Sequence, residues 1–135
     1  MIEIKVITKG DFDKFKGDLI NFYASKYNFP VTESTIDNSA IICLAHNDKH
    51  QIVGAIRAIS DLSRHAIIVD LFVDENFRQN GLGKKLLTSI TSELKEKNIP
   101  NISLVTEPEI DWLLNFYKNN GFVEIQGGTY LELKK

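Results

Sequence analysis

The sequence predicts one α/β domain over residues 1–135, with a mixed, mostly antiparallel sheet flanked by helices. Three observations lead to this prediction. Apolar runs of strand length fill residues 40–73, two long stretches have the apolar spacing of amphipathic helices, and one strand–helix–strand order implies a parallel crossover. A chain of 135 residues also has the usual length of a single domain.

The first forty residues predict a strand and then a helix. Residues 2–6 alternate apolar and charged side chains, which indicates a strand with one buried face. Residues 12–27 carry aromatic and aliphatic side chains mostly at three- and four-residue steps, which is typical of an amphipathic helix. We expect this helix to end near Asn28, because Pro30 follows. The polar residues 31–39 predict a loop with one helical turn.

Three apolar runs predict the next three strands, which are Ala40 to His46, Gln51 to Ser60 and His65 to Val73. Polar residues separate the runs and indicate turns between them. The third run is almost entirely apolar. We therefore expect it to be a central strand that is covered on both faces.

The second half of the chain predicts a crossover and a terminal hairpin. Gly81 to Lys97 carries one apolar stripe opposite a charged face, which predicts a helix. The apolar residues within 102–105 predict a strand parallel to the one before the helix. Pro108 then opens another helix at its first turn. Residues 122–126 and 129–133 alternate around two glycines, which predicts a hairpin.

The composition excludes several classes of partner. The formal net charge of −2 provides no basic field for nucleic acid. No apolar run approaches the roughly 18 residues of a membrane-spanning helix, so we expect no membrane partner. The first residues lack the apolar segment of a signal peptide, and we expect a cytoplasmic protein. Cys43 lies in an apolar run and is predicted to be a buried, inert thiol.

The most informative stretch runs from Arg78 to Lys84, between an apolar strand and an amphipathic helix. The N-terminus of a helix leaves backbone N–H groups unpaired and carries the positive end of the helix dipole, so it favours phosphate groups. Gly81 and Gly83 allow a ligand to approach the backbone, and the two basic side chains add positive charge. The Walker A loop and the dinucleotide fingerprint each require a residue that is missing here.

The pattern Arg-x-x-Gly-x-Gly at residues 78–83 resembles the pyrophosphate-binding loop of the GNAT acetyltransferase superfamily. A second pattern, Tyr117 with Gly121 and Phe122 after three intervening residues, is similar to the end of the last helix in that superfamily. The resemblance covers roughly residues 40 to 135 and includes the order of the strands. It implies the GNAT fold, in which the β-α-β crossover holds the coenzyme A loop.

The resemblance also implies an N-acetyltransferase that uses acetyl-CoA as co-substrate and needs no metal ion. The strand before the loop would splay from its neighbour and bond the pantetheine amides through its backbone, while the pyrophosphate would lie on the loop. The residues that match these cofactor-binding positions are Leu71, Phe72, Val73, Arg78, Gln79, Asn80, Gly81, Leu82, Gly83 and Lys84. The open alternatives are a fully paired strand and a tight turn without a ligand.

Two catalytic roles follow from the same resemblance. Tyr117 would be the general acid that protonates the coenzyme A thiolate, and the alternative is a ring that only packs. A base is also needed, because deprotonating an alkyl ammonium at neutral pH costs roughly 4–5 kcal/mol. Asp70 is the best-placed carboxylate, since it lies in an otherwise apolar strand, although a structural role stays open. Asp61, His65 and Glu107 are weaker candidates.

Two departures from the superfamily pattern bear on the function. Ile110 and Leu113 lie where relatives usually carry Asn and Ala, so the last helix is expected to hold coenzyme A differently. Leu113 and Trp112 would also narrow the acyl or pantetheine channel. The main alternative is therefore a non-catalytic acyl-CoA-binding regulatory module, and a nucleotide-binding domain is a third reading.

The acceptor is the part of the function that the sequence does not identify. It is expected to be a primary amine, on a small molecule or on a protein, bound by residues 11–39. The aromatic stripe in this segment is equally explained as core, and its acidic residues as a solvated face. The sequence does not determine the oligomeric state, for which a homodimer stays open.

Overall fold

One sheet carries five strands in the order of the chain in the computed structural model, which describes residues 1–26, 30–107 and 109–135. The strands are β1 Glu3–Ile7, β2 Ile41–His46, β3 Ile52–Ser60, β4 His65–Val73 and β5 Asn101–Ser103. The helices are α1 Phe12–Ala24, α2 Glu33–Asp37, α3 Leu82–Glu96 and α4 Asp111–Asn119. None of the helices in these ranges is long and apolar enough to cross a membrane.

The pairing of the strands confirms the predicted mixed sheet. Each neighbouring pair from β1 to β4 is antiparallel, whereas β4 and β5 are parallel. The helix α3 connects the parallel pair, because two parallel strands need a crossover connection between them. This β4–α3–β5 crossover is the one that the sequence predicts.

The chain divides into two compact units, Met1–Val105 and Thr106–Lys135. The first unit contains the whole sheet and the helices α1 to α3, and the second contains α4 and the residues that follow it. The assignment of residues 1–135 to one domain stays a prediction.

The core of the first unit has a layer on each face of the sheet. On one face, Leu19 and Tyr23 of α1 and Ile36 of α2 pack with Ile42 of β2 and Ala55 of β3. On the other face, α3 packs on β2, β3 and β4. Its buried side chains are Leu82, Leu86, Leu87, Ile90 and Leu94. This stripe confirms the amphipathic helix that the sequence predicts.

Gly54 of β3 allows α3 to lie close to the sheet. A Cβ atom at this position would be 3.0 Å from Cδ1 of Leu86, which is closer than packed carbon atoms normally approach. The helix therefore rests on backbone at this point, and its N-terminus is held near the end of β4.

The strand that is covered on both faces is β2, in which all six residues are buried. The prediction that β4 has this property is wrong. In β4, Ala66 and Ile68 are buried beneath α3, but Ile67 on the opposite face is 44% exposed. The reason is that α1 and α2 cover β2 and β3 on that face.

The predicted terminal hairpin is also wrong, since no strand follows β5 in the described part of the chain. Residues 122–126 and 129–133 lie outside helices and strands, and Val123 and Leu131 are 77% and 85% exposed. Alternating apolar residues form a stable strand only when a partner strand and a surface to cover are present, and a two-stranded hairpin alone is marginal in water.

Several boundaries differ from the predictions. The helix α1 ends at Ala24, and Asn28 lies outside the described residues. The strand β5 ends at Ser103, before the last two apolar residues of its run. Pro108 also lies outside the described residues, and α4 begins at Asp111. Short 3-10 turns precede α1 and follow β4.

Candidate active site

Among the described residues, the C-terminal part of β4 has no strand paired with it on the side where β5 lies. β5 pairs only with His65, Ala66 and Ile67 of β4. The rest of β4, up to Val73, pairs with β3 alone. Leu71, Phe72 and Val73, the predicted pantetheine contacts, lie in this stretch and are half-buried. This end of the pairing leaves Leu71 to Val73 without a strand partner on the side of β5 in the described part of the chain, and their contact with pantetheine stays a prediction.

A β-bulge interrupts β4 at Asp70. Arg57 of β3 pairs with Val69 and Ala55 pairs with Phe72, so two residues of β4 lie opposite the single residue between them. Asp70 has a φ of +57°, which is uncommon for a residue other than glycine, although Asp tolerates it better than most. The bulge changes which way the following residues of β4 face.

Two side chains hold Asp70 in this conformation. The hydroxyl of Tyr23 in α1 donates a hydrogen bond to the carbonyl oxygen of Asp70, at 2.7 Å. The Nε atom of Arg57 donates to Oδ2 of the Asp70 carboxylate, at 2.6 Å, and its Nη1 atom donates to Oγ of Ser39, at 3.3 Å. The Arg57 and Asp70 side chains are only 12% and 18% exposed. The candidate base therefore belongs to a largely buried ion pair.

The contacts of Tyr23 and Arg57 with Asp70 are not predicted from the sequence, which offers Tyr23 only as one of the aromatic residues of segment 11–39. Arg57 shows the same signal as Asp70, a charged residue in an apolar strand, and the two signals could have been paired. Tyr23 shows no such signal, because an aromatic residue in the apolar stripe of a helix is explained by packing alone.

The loop after β4 begins with a short capped turn. Asp74 accepts a hydrogen bond from the backbone amide of Asn76 at 3.3 Å and opens the 3-10 turn Glu75–Phe77. Arg78 follows, and its Nε atom donates to the carbonyl oxygen of Val73 at 2.9 Å. This contact ties the exposed Arg78 to the end of β4, in the section that does not pair with β5.

The N-terminus of α3 is open to a ligand. Gln79 and Gly81 have φ angles of +67° and +76°, and these turn the chain into the helix. The amide of Lys85 donates to the carbonyl oxygen of Gly81 at 3.1 Å, and the N-cap residue, Gly81, has no side chain with which to cap the helix. The amides of residues 82–84 therefore precede the first intrahelical bond. Among the residues that the structure describes, and apart from the adjoining backbone, no atom lies within 4 Å of where a Cβ atom of Gly81 would be.

The other predicted loop residues divide between ligand side and core. Gln79, Asn80, Gly81 and Lys84 are exposed, whereas the side chain of Leu82 is 5% exposed and belongs to the core. Leu82 can therefore contact a ligand only through its backbone amide. The loop has the features of an anion site, which are free helix amides, the positive end of the helix dipole and a nearby guanidinium group.

A cleft of about 350 Å³ lies at the end of β4 on the side of α1. It is lined by Ser25, Lys26, Phe72, Asp74, Glu75, Asn76 and Arg78. Its walls carry both signs of charge, so charge alone does not select one kind of ligand.

Tyr117 lies in the second unit, near the C-terminus of α4. Its ring meets those of Phe116 and Phe122 edge to face, with centroids 5.2 Å and 6.0 Å away. Burial raises the pKa of the Tyr117 phenol above its usual value of 10. The phenol is therefore protonated at neutral pH, as a general acid must be. Ile110 precedes α4, and Trp112 on its first turn is 73% exposed.

The three weaker base candidates have other surroundings. Asp61 accepts hydrogen bonds from the amides of Arg64, Ser63 and His65, and these bonds lower its pKa to about 2. It organises the turn between β3 and β4. His65 is exposed at the start of β4, and Glu107 is exposed in the second unit.

Comparisons with known sequences identify relatives of the chain. An uncharacterized N-acetyltransferase, ycf52, of Gracilaria tenuistipitata var. liui is 37% identical over 97 residues, which are 70% of this chain and 52% of that protein. The chloroplastic GCN5-related N-acetyltransferase 1 of Arabidopsis thaliana is 35% identical over 89 residues, 66% of this chain and 44% of that protein. The chain thus spans about half the length of these relatives.

Solved structures share the fold. A GNAT-family acetyltransferase from Staphylococcus aureus Mu50 has a TM-score of 0.72 and 28% identity, with 97% of this chain and 90% of that chain covered. A putative acetyltransferase from Deinococcus radiodurans R1 has a TM-score of 0.75 and 21% identity, with 97% and 87% covered. The sequence model of the acetyltransferase (GNAT) family matches residues 11–122. Because this match takes in α1, the whole crossover and the end of α4, the chain belongs to the GNAT acetyltransferase family.

Proposed function

We propose that the chain transfers an acetyl group from acetyl-CoA to a primary amine by direct attack of the amine on the thioester. In this reaction the bond between the acetyl carbon and nitrogen forms and the bond between carbon and sulfur breaks. The nitrogen loses a proton to become the amide, and the thiolate takes up a proton to become the free thiol. Membership of the GNAT family supports an acetyl donor of this kind.

The observation that carries the proposal is the glycine-containing N-terminus of α3, which follows the section of β4 that pairs with β3 alone. The diphosphate of acetyl-CoA would lie on the amides between Gln79 and Lys84, where Gly81 presents no side chain. Arg78 would add a charged contact from its position beside Val73. The pantetheine would then lie along β4, where backbone amides of Leu71 to Val73 can pair with it as a strand would.

Asp70 and Tyr117 are the proposed base and acid. A base that removes the proton of the ammonium group has to offset roughly 4–5 kcal/mol at neutral pH. Asp70 lies at the bulge of β4, close to the section of strand that would hold the thioester. Tyr117 keeps its proton at neutral pH, as a proton donor to the thiolate must, and the upward shift of its pKa makes the phenol a weaker acid than free tyrosine.

Direct attack is proposed in preference to an acyl-enzyme because of Cys43. Its side chain is fully buried in β2, and burial raises the pKa of the thiol to about 12. A thiol in this state stays protonated at neutral pH and is a poor nucleophile. An acetylated cysteine intermediate at this position is therefore not part of the proposal.

Calorimetry with acetyl-CoA tests the loop. We expect wild-type protein to bind acetyl-CoA and Gly81→Val to lose binding by about tenfold or more, since a side chain would stand between the amides and the diphosphate. The control is Gly127→Val, because Gly127 has the same left-handed backbone, with φ +83°, and open space around it. Equal affinity in wild type and Gly81→Val would refute the loop assignment.

A second candidate function is a regulatory module that binds acyl-CoA without turnover. The ion pair between Arg57 and Asp70 favours it, because a carboxylate engaged at 2.6 Å is less available as a base. Ile110, in place of the usual Asn, points the same way. Free thiol release from acetyl-CoA with a panel of primary amines separates the two functions, since binding without release on any amine supports the module.

The acceptor stays a primary amine of unassigned type, on a small molecule or a protein. A cytoplasmic location and a homodimeric state also stay predictions. The panel should therefore span polyamines, amino acids, aminoglycosides and peptides with free N-termini or lysines.

A further inference from the structure

We propose that Tyr23 and Arg57 are positioning residues that hold the bulge of β4, so that the thioester of acetyl-CoA meets the strand in a reactive orientation. This inference rests on the proposed function. It assigns a role to two residues of the first unit that would not themselves touch the reacting atoms.

Tyr23 joins α1 to the bulge. Its side chain is 1% exposed, and its ring meets the rings of Phe22 and Phe72 edge to face, at 5.4 Å and 6.4 Å. The ring packing fixes the direction of the hydroxyl, which donates to the carbonyl oxygen of Asp70 at 2.7 Å. The backbone of the bulge is therefore fastened to a helix that is 47 residues away in sequence.

Arg57 fastens the side chain of the same residue. Its guanidinium contacts Oδ2 of Asp70 and Oγ of Ser39, at 2.6 Å and 3.3 Å. Ser39 is fully buried and in turn donates to the carbonyl oxygen of Thr35 in α2, at 2.9 Å. Arg57 is thus held from two sides, and the carboxylate cannot rotate without breaking this chain of contacts.

The conformation of Asp70 explains why such support is required. A φ of +57° in a residue other than glycine is strained, and strained residues persist when the surrounding structure holds them, often at functional sites. A largely buried ion pair adds little net stability compared with well-packed apolar side chains. The pair is better explained by the geometry that it imposes on Leu71 to Val73, the section of β4 proposed to meet the pantetheine.

Steady-state kinetics of Tyr23→Phe, Arg57→Gln and Arg57→Lys test this role. A misplaced thioester lowers kcat, so we expect Tyr23→Phe to reduce kcat by about tenfold or more. We expect the same of Arg57→Gln, although this change also frees the Asp70 carboxylate, because the loss of orientation outweighs the gain in an available base. The KM for acetyl-CoA should change by less than about threefold, because the diphosphate site at α3 is unaltered. Arg57→Lys keeps the charge and should restore part of the loss. The matched controls are Tyr130→Phe and Arg64→Gln, which alter exposed side chains.

Two further readouts separate positioning from a general loss of stability. In the Tyr23 and Arg57 variants, hydrogen exchange of the backbone amides from Val69 to Val73 should be faster than in wild type. Exchange of the amides in β1 and β2 should be unchanged. The double variant Tyr23→Phe with Arg57→Gln should have a kcat close to that of the slower single variant, because both act on one bulge. Multiplied effects would contradict a shared target.

The outcomes that overturn the inference differ from those that overturn the proposed function. Tyr23→Phe keeps the buried ring and is the variant expected to fold. If it is folded and its kcat lies within twofold of an active wild type, Tyr23 has no positioning role. A raised KM with unchanged kcat would instead assign the residue to donor binding. If wild-type protein neither binds acetyl-CoA nor releases thiol, the proposed function fails first, and the inference fails with it.

Discussion

The backbone amide of Phe122 donates a hydrogen bond to the carbonyl oxygen of Tyr117 at 3.1 Å, and the two rings meet edge to face. Between them, the amide of Gly121 donates to the carbonyl oxygen of Lys118 at 3.3 Å, and Gly121 has a φ of +95°. These two bonds and the apolar contact form a Schellman motif, which ends α4. The spacing of Tyr, Gly and Phe therefore has a structural cause in addition to any catalytic one.

The first prediction concerns Gly121. Because an L-residue with a side chain is strained by about 1–2 kcal/mol in the left-handed conformation, Gly121→Ala should destabilise the end of α4 by about that amount. Gly121→Asn should lose less, since Asn tolerates this conformation. Hydrogen exchange at the backbone amides of positions 121 and 122 in each variant measures the effect. Gly128→Ala is the control, because Gly128 has open space and no left-handed backbone. Equal exchange in all variants would contradict the motif's importance.

A second prediction concerns Arg78. Its Nε atom is engaged by Val73, so the terminal nitrogens are the ones that would reach the diphosphate. Arg78→Gln should weaken acetyl-CoA binding by about tenfold, as expected for loss of a charged hydrogen bond. The affinity of wild type should also fall more steeply with added salt than that of the variant.

Calorimetry at two salt concentrations provides the measurement for Arg78. Arg64→Gln is a suitable control, because Arg64 is exposed in the turn between β3 and β4. If Arg78→Gln binds acetyl-CoA with the affinity and salt dependence of wild type, Arg78 does not contact the diphosphate.

The sequence was a good guide wherever structure follows from local pattern. The limits of β4 agree with the prediction at both ends, and those of α3 agree to within one residue. The ends of a strand can be predicted where a run of apolar residues meets a polar loop. The ends of a helix can be predicted where an apolar stripe with helical spacing begins and stops.

What the sequence could not predict depends on contacts between distant segments. The hydrogen bond from Tyr23 to Asp70 joins a helix to a bulge, and neither the bulge nor its left-handed residue leaves a periodic signal. The terminal hairpin failed for the opposite reason. Its alternation at residues 122–133 is strong, but alternation does not specify a partner strand, and these residues are exposed.

A third prediction concerns the buried thiol of Cys43. Burial, with a smaller effect of Glu93, raises its pKa from about 9 to about 12. The folded protein therefore keeps the thiol protonated when the unfolded chain loses the proton. The resulting stability is complete below about pH 9 and is lost as the pH rises toward 12, by at most about 1.4 kcal/mol per pH unit.

Comparison of wild type with Cys43→Ala isolates this effect. The difference in their free energies of unfolding should become smaller between about pH 8 and about pH 10.5, as measured by urea unfolding. Thiol reagents should also label native Cys43 only as fast as the protein opens. Rapid labelling of folded protein at about pH 8 would contradict the burial of the thiol.

The last prediction concerns Tyr117 as the general acid. An acid must be protonated to act, and burial raises the pKa of this phenol above 10. Activity that depends on this phenol should therefore be kept as the pH rises to about 10. It should be lost only when the pH passes the raised pKa of Tyr117. Tyr117→Phe should lower kcat by about 100-fold or more, lose this alkaline limb and leave the KM for acetyl-CoA nearly unchanged. Tyr130→Phe, an exposed tyrosine of the same unit, is the control. A Tyr117→Phe variant with the kcat of wild type would leave the phenol only its structural role, which is the contact of its ring with Phe122 where α4 ends.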